Sequence, residues 1–345
     1  MKLKKFKVTN YKIFKCEFSV DLMKNTETKG NFTILTGKNN MGKSTFLEAI
    51  NEFFKQNTKA QAIHTECFNS KTNPILLVAE LYVSKAKDNE IWTFLEEKGY
   101  LPEGIVDDQM LRITKSYEPD KIATYVASID GNEIATKYVK ELVAFINKEE
   151  PYYIRPNMTT EEIDKLISTI YVDAISASSN SNVETLGDIN QKIKEAIGSL
   201  KADTDTLLKE VEANVSETLN QLFKDQKFKI KIDGGEPLAF SIKDLLKNTD
   251  TKITIDSNSK SNMLLAEQGT GVQRMSLIYT IQNIITQKIG TLGNRMLLID
   301  EPEAFLHPEA TRQLSSSLYE IGNSMPIIIT THSPILINLE NNGKL

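Results

Sequence analysis

Three short stretches of the 345-residue chain combine residue types at spacings that are typical of phosphate chemistry. The first is a glycine-containing loop that ends in Lys43 and Ser44, in the pattern GxxxxGK followed by Ser or Thr. The second is an apolar run that ends in Asp300 and Glu301, and the third is an apolar run followed by a Thr-Thr-His-Ser-Pro turn with His332. Each predicts polar groups delivered at the edge of a sheet.

The loop of the first stretch is expected to bind the phosphates of a nucleotide. Backbone N–H groups of such a loop point at the β-phosphate, and the start of the next helix adds positive potential. Lys43 would span the β- and γ-phosphates, and the Ser44 hydroxyl would be a Mg²⁺ ligand. The alternative is a glycine-rich turn that binds no phosphate. The predicted contact positions are Gly37, Asn39, Asn40, Gly42, Lys43, Ser44 and Thr45.

Asp300 and Glu301 are predicted to be the metal ligand and the base of the same site. The four apolar residues before them indicate a buried strand that delivers both carboxylates at its carboxyl end. Asp300 would hold Mg²⁺ directly or through water, and Glu301 would act as general base on the attacking water. Two adjacent acids at a strand end can instead cap a helix.

His332 follows another apolar strand and is expected at the same cleft. A histidine at this place can hydrogen-bond the γ-phosphate and the attacking water, which makes it the second candidate catalytic residue. The alternative is a strand-end histidine that only caps the next helix.

These residues must be positioned by strands that alternate with helices, which indicates a largely parallel sheet. The predicted strands are 2–8, 14–20, 32–36, 75–83, 111–116, 123–129, 295–300 and 326–330, with a turn at Asn10. The predicted helices of the three stretches are 44–54, 272–285 and 308–321. Residues 204–223 predict an amphipathic helix, whose apolar stripe is covered either by its own domain or by a second subunit. Polar stretches at 176–182 and 248–262 are candidate boundaries.

Composition narrows the class of protein. The chain is 40% hydrophobic and 25% charged, which is typical of a soluble protein, and its apolar runs are too short to cross a membrane. Two cysteines without a CxxC pattern and three histidines argue against a zinc site or a disulfide framework, so we expect a cytoplasmic protein. The net charge is -5, but residues 1–60 hold 12 Lys against 5 acidic residues. Those lysines form either a local nucleic-acid patch or a solvated strand face.

The chain resembles the ATPase heads of the ABC type, within the branch of RecF-type and overcoming-lysogenization-defect (OLD) proteins, which includes Gabija-type nucleases. Residues 300–308, DEPEAFLHP, are similar to the DEPEAHLHP stretch of the OLD group. Residues 267–274, EQGTGVQR, match the GSG-x-Q-R form of its signature loop. The resemblance covers about residues 1–55 and 263–340.

This resemblance implies an α/β fold: an ABC-ATPase (P-loop) head with a mainly parallel sheet, an antiparallel N-terminal β part and a mostly helical insertion. The expected boundaries are 1–85 for the N-terminal lobe, 86–260 for the insertion and 261–345 for the C-terminal lobe. The implied cofactors are ATP and Mg²⁺. In such heads the signature loop, here Gly269, Thr270 and Gly271, completes the ATP site of a second head, which implies a homodimer or a higher homo-oligomer.

Three positions need separate comment. Lys12 stands where RecF-like heads carry a phosphate-contacting Arg and is expected to replace it. No Gln follows strand 75–83, where the resemblance leads us to expect a Gln-loop, and Glu80 is a weak substitute. His307 is expected to be structural.

OLD proteins resemble this head followed by a C-terminal TOPRIM nuclease domain, which these 345 residues do not contain. We therefore expect either a truncated chain, which we favour, or a head that works with a separate effector protein. The implied function is ATP hydrolysis that regulates a DNA-directed, antiphage nuclease. The alternatives are a RecF-like repair ATPase and an ATP-binding switch with negligible turnover.

Overall fold

The computed structural model describes residues 1–22, 32–56, 63–102, 104–105, 107–178, 209, 254–255, 263–286 and 295–337. The chain divides into two compact units. The first consists of Met1–Ile167, Lys252–Gln287 and Leu292–Leu345, and the second of Ser168–Thr251 and Lys288–Thr291. The three candidate stretches therefore all belong to the first unit. The amphipathic helix predicted at 204–223 lies outside the described residues, apart from Lys209.

One sheet of the first unit is antiparallel and has the strand order β2-β1-β4-β5-β6-β7. Along β1 (Lys2–Thr9), Phe6 and Val8 are buried and Lys7 between them is half-exposed, because successive side chains of a strand point to opposite faces; Leu3 is buried too, since the register shifts between Leu3 and Lys5. The strands are β1 (Lys2–Thr9), β2 (Phe18–Asp21), β4 (Ile75–Val83), β5 (Gln109–Tyr117), β6 (Thr124–Ile129) and β7 (Asn132–Glu133).

Residues after the expected boundary at residue 86 continue the antiparallel sheet. Strand β5 pairs with β4 over nine residues, from Ile75↔Tyr117 to Val83↔Gln109, and β6 and β7 continue the same sheet. The reason is that β4 has a free edge whose N–H and C=O groups need partners, and the following residues supply them. The unit that holds residues 1–85 accordingly runs on to Ile167.

The other sheet is parallel and has the order β3-β12-β11-β8. Its strands are β3 (Phe32–Leu35), β8 (Tyr152–Ile154), β11 (Leu297–Asp300) and β12 (Ile327–Thr330). All residues of β11 and β12 are buried, as expected for strands that are covered on both faces. Strand β8 was not predicted, since three residues are too few to show a period. Two short strands, β9 (Thr254–Ile255) and β10 (Met263–Leu264), form a separate pair.

The described helices are α1 (Lys43–Phe54), α2 (Asn89–Glu97), α3 (Thr136–Asn147), α4 (Thr160–Ser178), α5 (Thr270–Thr286), α6 (Pro308–Gly322) and α7 (Pro334–Ile337). Helix α4 continues into the polar stretch predicted at 176–182. Helix α1 buries an apolar face that includes Phe46, Leu47 and Ile50 against the core. The predicted α/β class, with one parallel and one antiparallel sheet, is confirmed.

Residues 10–17 form a turn where the sequence predicted that a strand begins at residue 14. Tyr11 and Phe14 exchange backbone hydrogen bonds of 3.0 and 2.9 Å, and Asn10 and Lys12 have left-handed backbones with φ of 59° and 49°. The buried Asn10 side chain stabilises the turn, because its amide donates to the carbonyls of Ser70 and Asn73. Strand β2 therefore begins only at Phe18.

Candidate functional site

The glycine loop lies between β3 and α1, as its motif requires. Gly42 immediately precedes α1 with φ of 88°, and a Cβ added there would approach Phe14 to 2.7 Å and Ile13 to 2.9 Å. Glycine is therefore required at this position both for its backbone conformation and for space. Residues 36–41, which include the predicted contacts Gly37, Asn39 and Asn40, are exposed.

Lys43 folds back over this loop. Its Nζ donates hydrogen bonds of 3.0 Å to each of the Gly37 and Lys38 carbonyl oxygens. Ser44 and Thr45 lie in the first turn of α1, whose N–H groups have no partner within the helix. The loop thus presents an ammonium group and helix N–H donors at one place, which is an arrangement suited to an anion.

Asp300 lies at the carboxyl end of β11 and is 6% exposed. Its Oδ1 accepts a hydrogen bond of 2.9 Å from Ser44 Oγ and one of 2.5 Å from Thr330 Oγ1. The structure thus joins the two predicted metal ligands, Ser44 and Asp300, across 256 residues of sequence. Hydroxyl and carboxylate oxygens are the donors that Mg²⁺ prefers, so this pair fits that ion.

Glu301 and His332 follow adjacent parallel strands and face each other. The distance from His332 Nε2 to Glu301 Oε1 is 3.7 Å, which is too long for a hydrogen bond, and both side chains are 38% exposed. Glu301 has a left-handed backbone with φ of 47°, and its N–H donates to Thr330. The two predicted catalytic side chains are therefore together and accessible beside Asp300.

Arg274, in helix α5, holds the loop that follows Glu301. Its guanidinium is buried, and Nη1 donates to the carbonyl oxygens of Glu301 at 2.7 Å and Ala304 at 3.3 Å. It also lies over the exposed Phe305 ring, 5.8 Å from the centroid. Burial lowers the pKa of Arg274 from its ordinary value. Sequence reasoning included Arg274 in the motif but gave it no role.

The predicted signature residues surround the start of α5. A Cβ added at Gly271 would lie 3.1 Å from the Phe305 carbonyl oxygen and 3.2 Å from Leu306 Cδ2, whereas one at Gly269 would have nothing within 4 Å. Gly271 is therefore packed on the Glu301 loop of its own chain. Among the described residues, no hydrogen bond joins Gly269, Thr270 or Gly271 to the glycine loop at 37–42.

Two further predicted positions are Lys12 and Glu80. Lys12 forms an ion pair with Glu48 of α1, and its expected contact with phosphate stays a prediction. Glu80 lies in the middle of β4 between Lys5 and Arg112, away from the parallel sheet. No sequence pattern indicated Arg155, the residue after β8, which lies level with Asp300 because Ile154 pairs with Ile299 and which forms an ion pair with Glu162. Only strand pairing could have revealed it.

Contacts of His307 and of the N-terminal lysines bear on two further predictions. His307 immediately precedes α6 and its carbonyl accepts the Thr311 N–H, while its exposed side chain makes no capping hydrogen bond, so its structural role stays a prediction. Lys5 lies 3.3 Å from Asp21 and Lys7 lies 3.4 Å from Glu17, so the charges on this face alternate in sign. This pattern favours solvated lysines over a basic patch on β1.

Residues 1–337 match the family model described as AAA ATPase domain. This chain belongs to that family. This AAA ATPase domain chain is 26% identical to the Old nuclease of Escherichia phage P2 over 140 residues. The aligned segment spans 39% of this chain and 23% of that nuclease. The predicted similarity to an OLD-like ABC ATPase head is thereby confirmed.

Solved structures show where this AAA ATPase domain lies among known folds. An SMC head bound to the C-winged helix domain of ScpA has 13% identity and a TM-score of 0.54, with 98% of this chain and 92% of that chain covered. The Smc head of Pyrococcus furiosus, bound to the C-terminal domain of ScpA, has 14% identity and a TM-score of 0.50, with 98% and 91% covered. At these identities the likeness shows the fold, which is that of an ATPase head.

Within the described ranges, no helix is long and apolar enough to cross a membrane. The same residues contain no group of three or more His, Cys, Asp or Glu side chains placed to hold a metal ion. A metal at Ser44 and Asp300 would therefore depend on oxygens from a nucleotide and from water.

Proposed function

We propose that this chain is the ATP-hydrolysing head of an OLD-like, DNA-directed nuclease of antiphage defence. In this proposal, ATP-dependent dimerisation of heads regulates a TOPRIM nuclease domain or a separate effector protein. The observation that carries the ATPase is the meeting of Ser44, Asp300, Glu301 and His332 at one edge of the parallel sheet. The similarity to the Old nuclease supports the nuclease connection.

The chain's own residues would divide the chemistry among them. Lys43, which now donates to neutral carbonyl oxygens, would gain charged acceptors when it turns to the β- and γ-phosphates. Glu301 would accept a proton from the attacking water, and His332 would hold that water and the γ-phosphate in place. Mg²⁺, held by Ser44 and Asp300, would neutralise charge on the phosphates when bound.

A second head would complete the site. Gly269 and Thr270 lie at the start of α5 without a hydrogen bond to their own glycine loop, and the space next to Gly269 is open. Backbone N–H groups and a hydroxyl at a helix start can receive a γ-phosphate from another molecule. This arrangement supports a pair of heads in which each signature loop acts on the partner's nucleotide.

The test compares Lys43→Ala with Lys85→Ala, whose lysine is exposed and pairs with Glu96 outside the site. ATP binding is measured by calorimetry and turnover by phosphate release. We expect Lys43→Ala to lose binding by about 100-fold or more, because it removes a charge placed against two phosphates, while Lys85→Ala behaves as the parent. Unchanged binding by Lys43→Ala would overturn the proposal. Tight binding by the parent without turnover would favour an ATP-binding switch.

A further inference from the structure

The loop after β11 carries another carboxylate, Glu303, to which the proposed chemistry gives no role. Three donors of the turn that holds His332 converge on its Oε1. Thr331 Oγ1 lies at 2.6 Å, the His332 backbone N at 2.9 Å and the Ser333 backbone N at 3.2 Å. Hydrogen bonds to a charged acceptor are stronger than neutral ones, so these three fix the turn firmly.

The two proposed catalytic side chains need such a link because they come from different strands. The pairing of β11 with β12 ends at Asp300↔Thr330, and one more backbone hydrogen bond joins Glu301 N to Thr330 O. Beyond that point the ladder no longer sets the position of one strand end relative to the other. Glu303 spans the two ends, since its backbone belongs to the Glu301 loop and its side chain holds the His332 turn.

The Glu301 loop is itself held from the other side. Arg274 Nη1 donates to Glu301 O and Ala304 O, which flank Glu303 in sequence. In addition, Leu306 N donates to Glu303 O at 3.0 Å, which closes a turn. These hydrogen bonds therefore fix the backbone of Glu303 independently of the contacts that its side chain makes with the His332 turn.

We propose that Glu303 is a positioning residue that holds His332 in register with Glu301 and with the γ-phosphate. It acts through His332 and does not itself touch the nucleotide. The inference rests on the ATPase function proposed above, and it adds the element that keeps the two catalytic groups aligned.

The first measurement compares Glu303→Ala and Glu303→Gln with the control Glu309→Ala, whose glutamate is exposed and pairs with Arg312. We expect Glu303→Ala to lower kcat about 10- to 100-fold, because a displacement near 1 Å has an effect of that size. KM for ATP should change less than about threefold, since Lys43 and Ser44 are untouched. Glu303→Gln should restore part of kcat, because its amide oxygen can accept the same three hydrogen bonds while its NH2 group takes the buried place of Oε2, which has no hydrogen-bond partner among the described residues.

A double substitution separates positioning from a general effect on folding. If Glu303 acts through His332, then His332→Ala with Glu303→Ala has the same kcat as His332→Ala alone. Losses that multiply, or a Glu303→Ala enzyme with parental kcat, overturn the proposal. If Glu303→Ala does not fold, Glu303→Asp replaces it in the same comparison, because its carboxylate is withdrawn by about 1.5 Å, the length of one C–C bond.

One more variant distinguishes a failure of this inference from a failure of the proposed function. Glu301→Gln is measured beside these variants. A Glu301→Gln protein that hydrolyses ATP at the parental rate would overturn the assignment of Glu301 as the base, and with it the pair of residues that Glu303 is proposed to align. A strong loss in Glu301→Gln with no loss in Glu303→Ala would overturn the positioning role alone.

Discussion

Gly269 and Gly271 differ in the space around them, and this difference allows a direct test of a two-head ATP site. A side chain at Gly269 meets nothing within 4 Å, whereas one at Gly271 presses on the Phe305 carbonyl at 3.1 Å. Substitution at Gly271 would therefore disturb the Glu301 loop of its own chain as well as any partner. Gly269→Asp is the cleaner change, because it adds a carboxylate in open space.

The expected size of the effect follows from where that carboxylate would lie. In a pair of heads it would face the partner's γ-phosphate, and the repulsion between the two negative charges should lower hydrolysis by about 100-fold or more. ATP binding by a single head should change less than about twofold, because Lys43, Ser44 and Asp300 are unaltered. Phosphate release and calorimetry measure the two quantities separately.

Mixing two inactive variants then decides between one head and two. A heterodimer of Lys43→Ala and Gly269→Asp chains contains one site in which both halves are wild type. Random pairing of equal amounts makes half of the dimers mixed, each with one of two sites intact, so about a quarter of the parental activity should return.

The control and the refuting result use the same assay. Lys43→Ala mixed with a Lys43→Ala/Gly269→Asp chain has no intact site and should stay inactive. If the first mixture also stays inactive while mass measurement shows heterodimers, the signature loop does not act on a partner. If Gly269→Asp alone hydrolyses ATP normally, the loop has no part in the site.

Two further predictions concern the base and a buried lysine. Glu301→Gln should bind ATP but lower kcat by about 10² to 10⁴, measured by phosphate release, and an unchanged rate would leave His332 as the candidate base. The buried Lys115 ammonium donates to the Glu52 and Phe53 carbonyl oxygens. Burial lowers the pKa of Lys115 from 10.5 to about 8; the charges of Glu52 and Glu150 oppose this shift and the charge of Lys55 adds to it. Above pH 8 the unfolded state binds more protons than the native state, so the free energy of unfolding should rise by about 1 kcal/mol between pH 8 and 9. Urea unfolding at both pH values should show that Lys115→Met abolishes the rise; an equal rise in both proteins would contradict it.

The sequence predicted those parts of the site whose motifs also indicate the strand, loop or helix around them. Lys43 follows an apolar run and a glycine loop, and Asp300 ends an apolar run, so the elements that deliver them were predictable. The contact of Ser44 with Asp300 then follows, because parallel strands bring their carboxyl ends to one edge. Their assigned chemical roles stay predictions.

Other parts depend on contacts that no local pattern records. Strand β8 has three residues and exists because β11 has a second edge to pair. Glu303 is one acid among several in an acidic stretch, and its three hydrogen bonds arise only when β12 brings the His332 turn beside it. Lys12 was assigned by resemblance, and its pairing with Glu48 depends on the position of α1.

The packing of Gly271 on the Phe305 carbonyl gives the proposed two-head mechanism a physical connection within each head. The same loop carries Glu301, whose carbonyl oxygen is held by Arg274 of the signature helix. We infer that a partner's γ-phosphate bound at Gly269 and Thr270 would bear on α5, and through Arg274 on the backbone of Glu301. Because Arg274 Nη1 donates to both Glu301 O and Ala304 O, a shift of α5 would be passed on to the backbone that carries the Glu301 carboxylate. Nucleotide binding at one composite site would in this way shift the position of Glu301 in the other composite site.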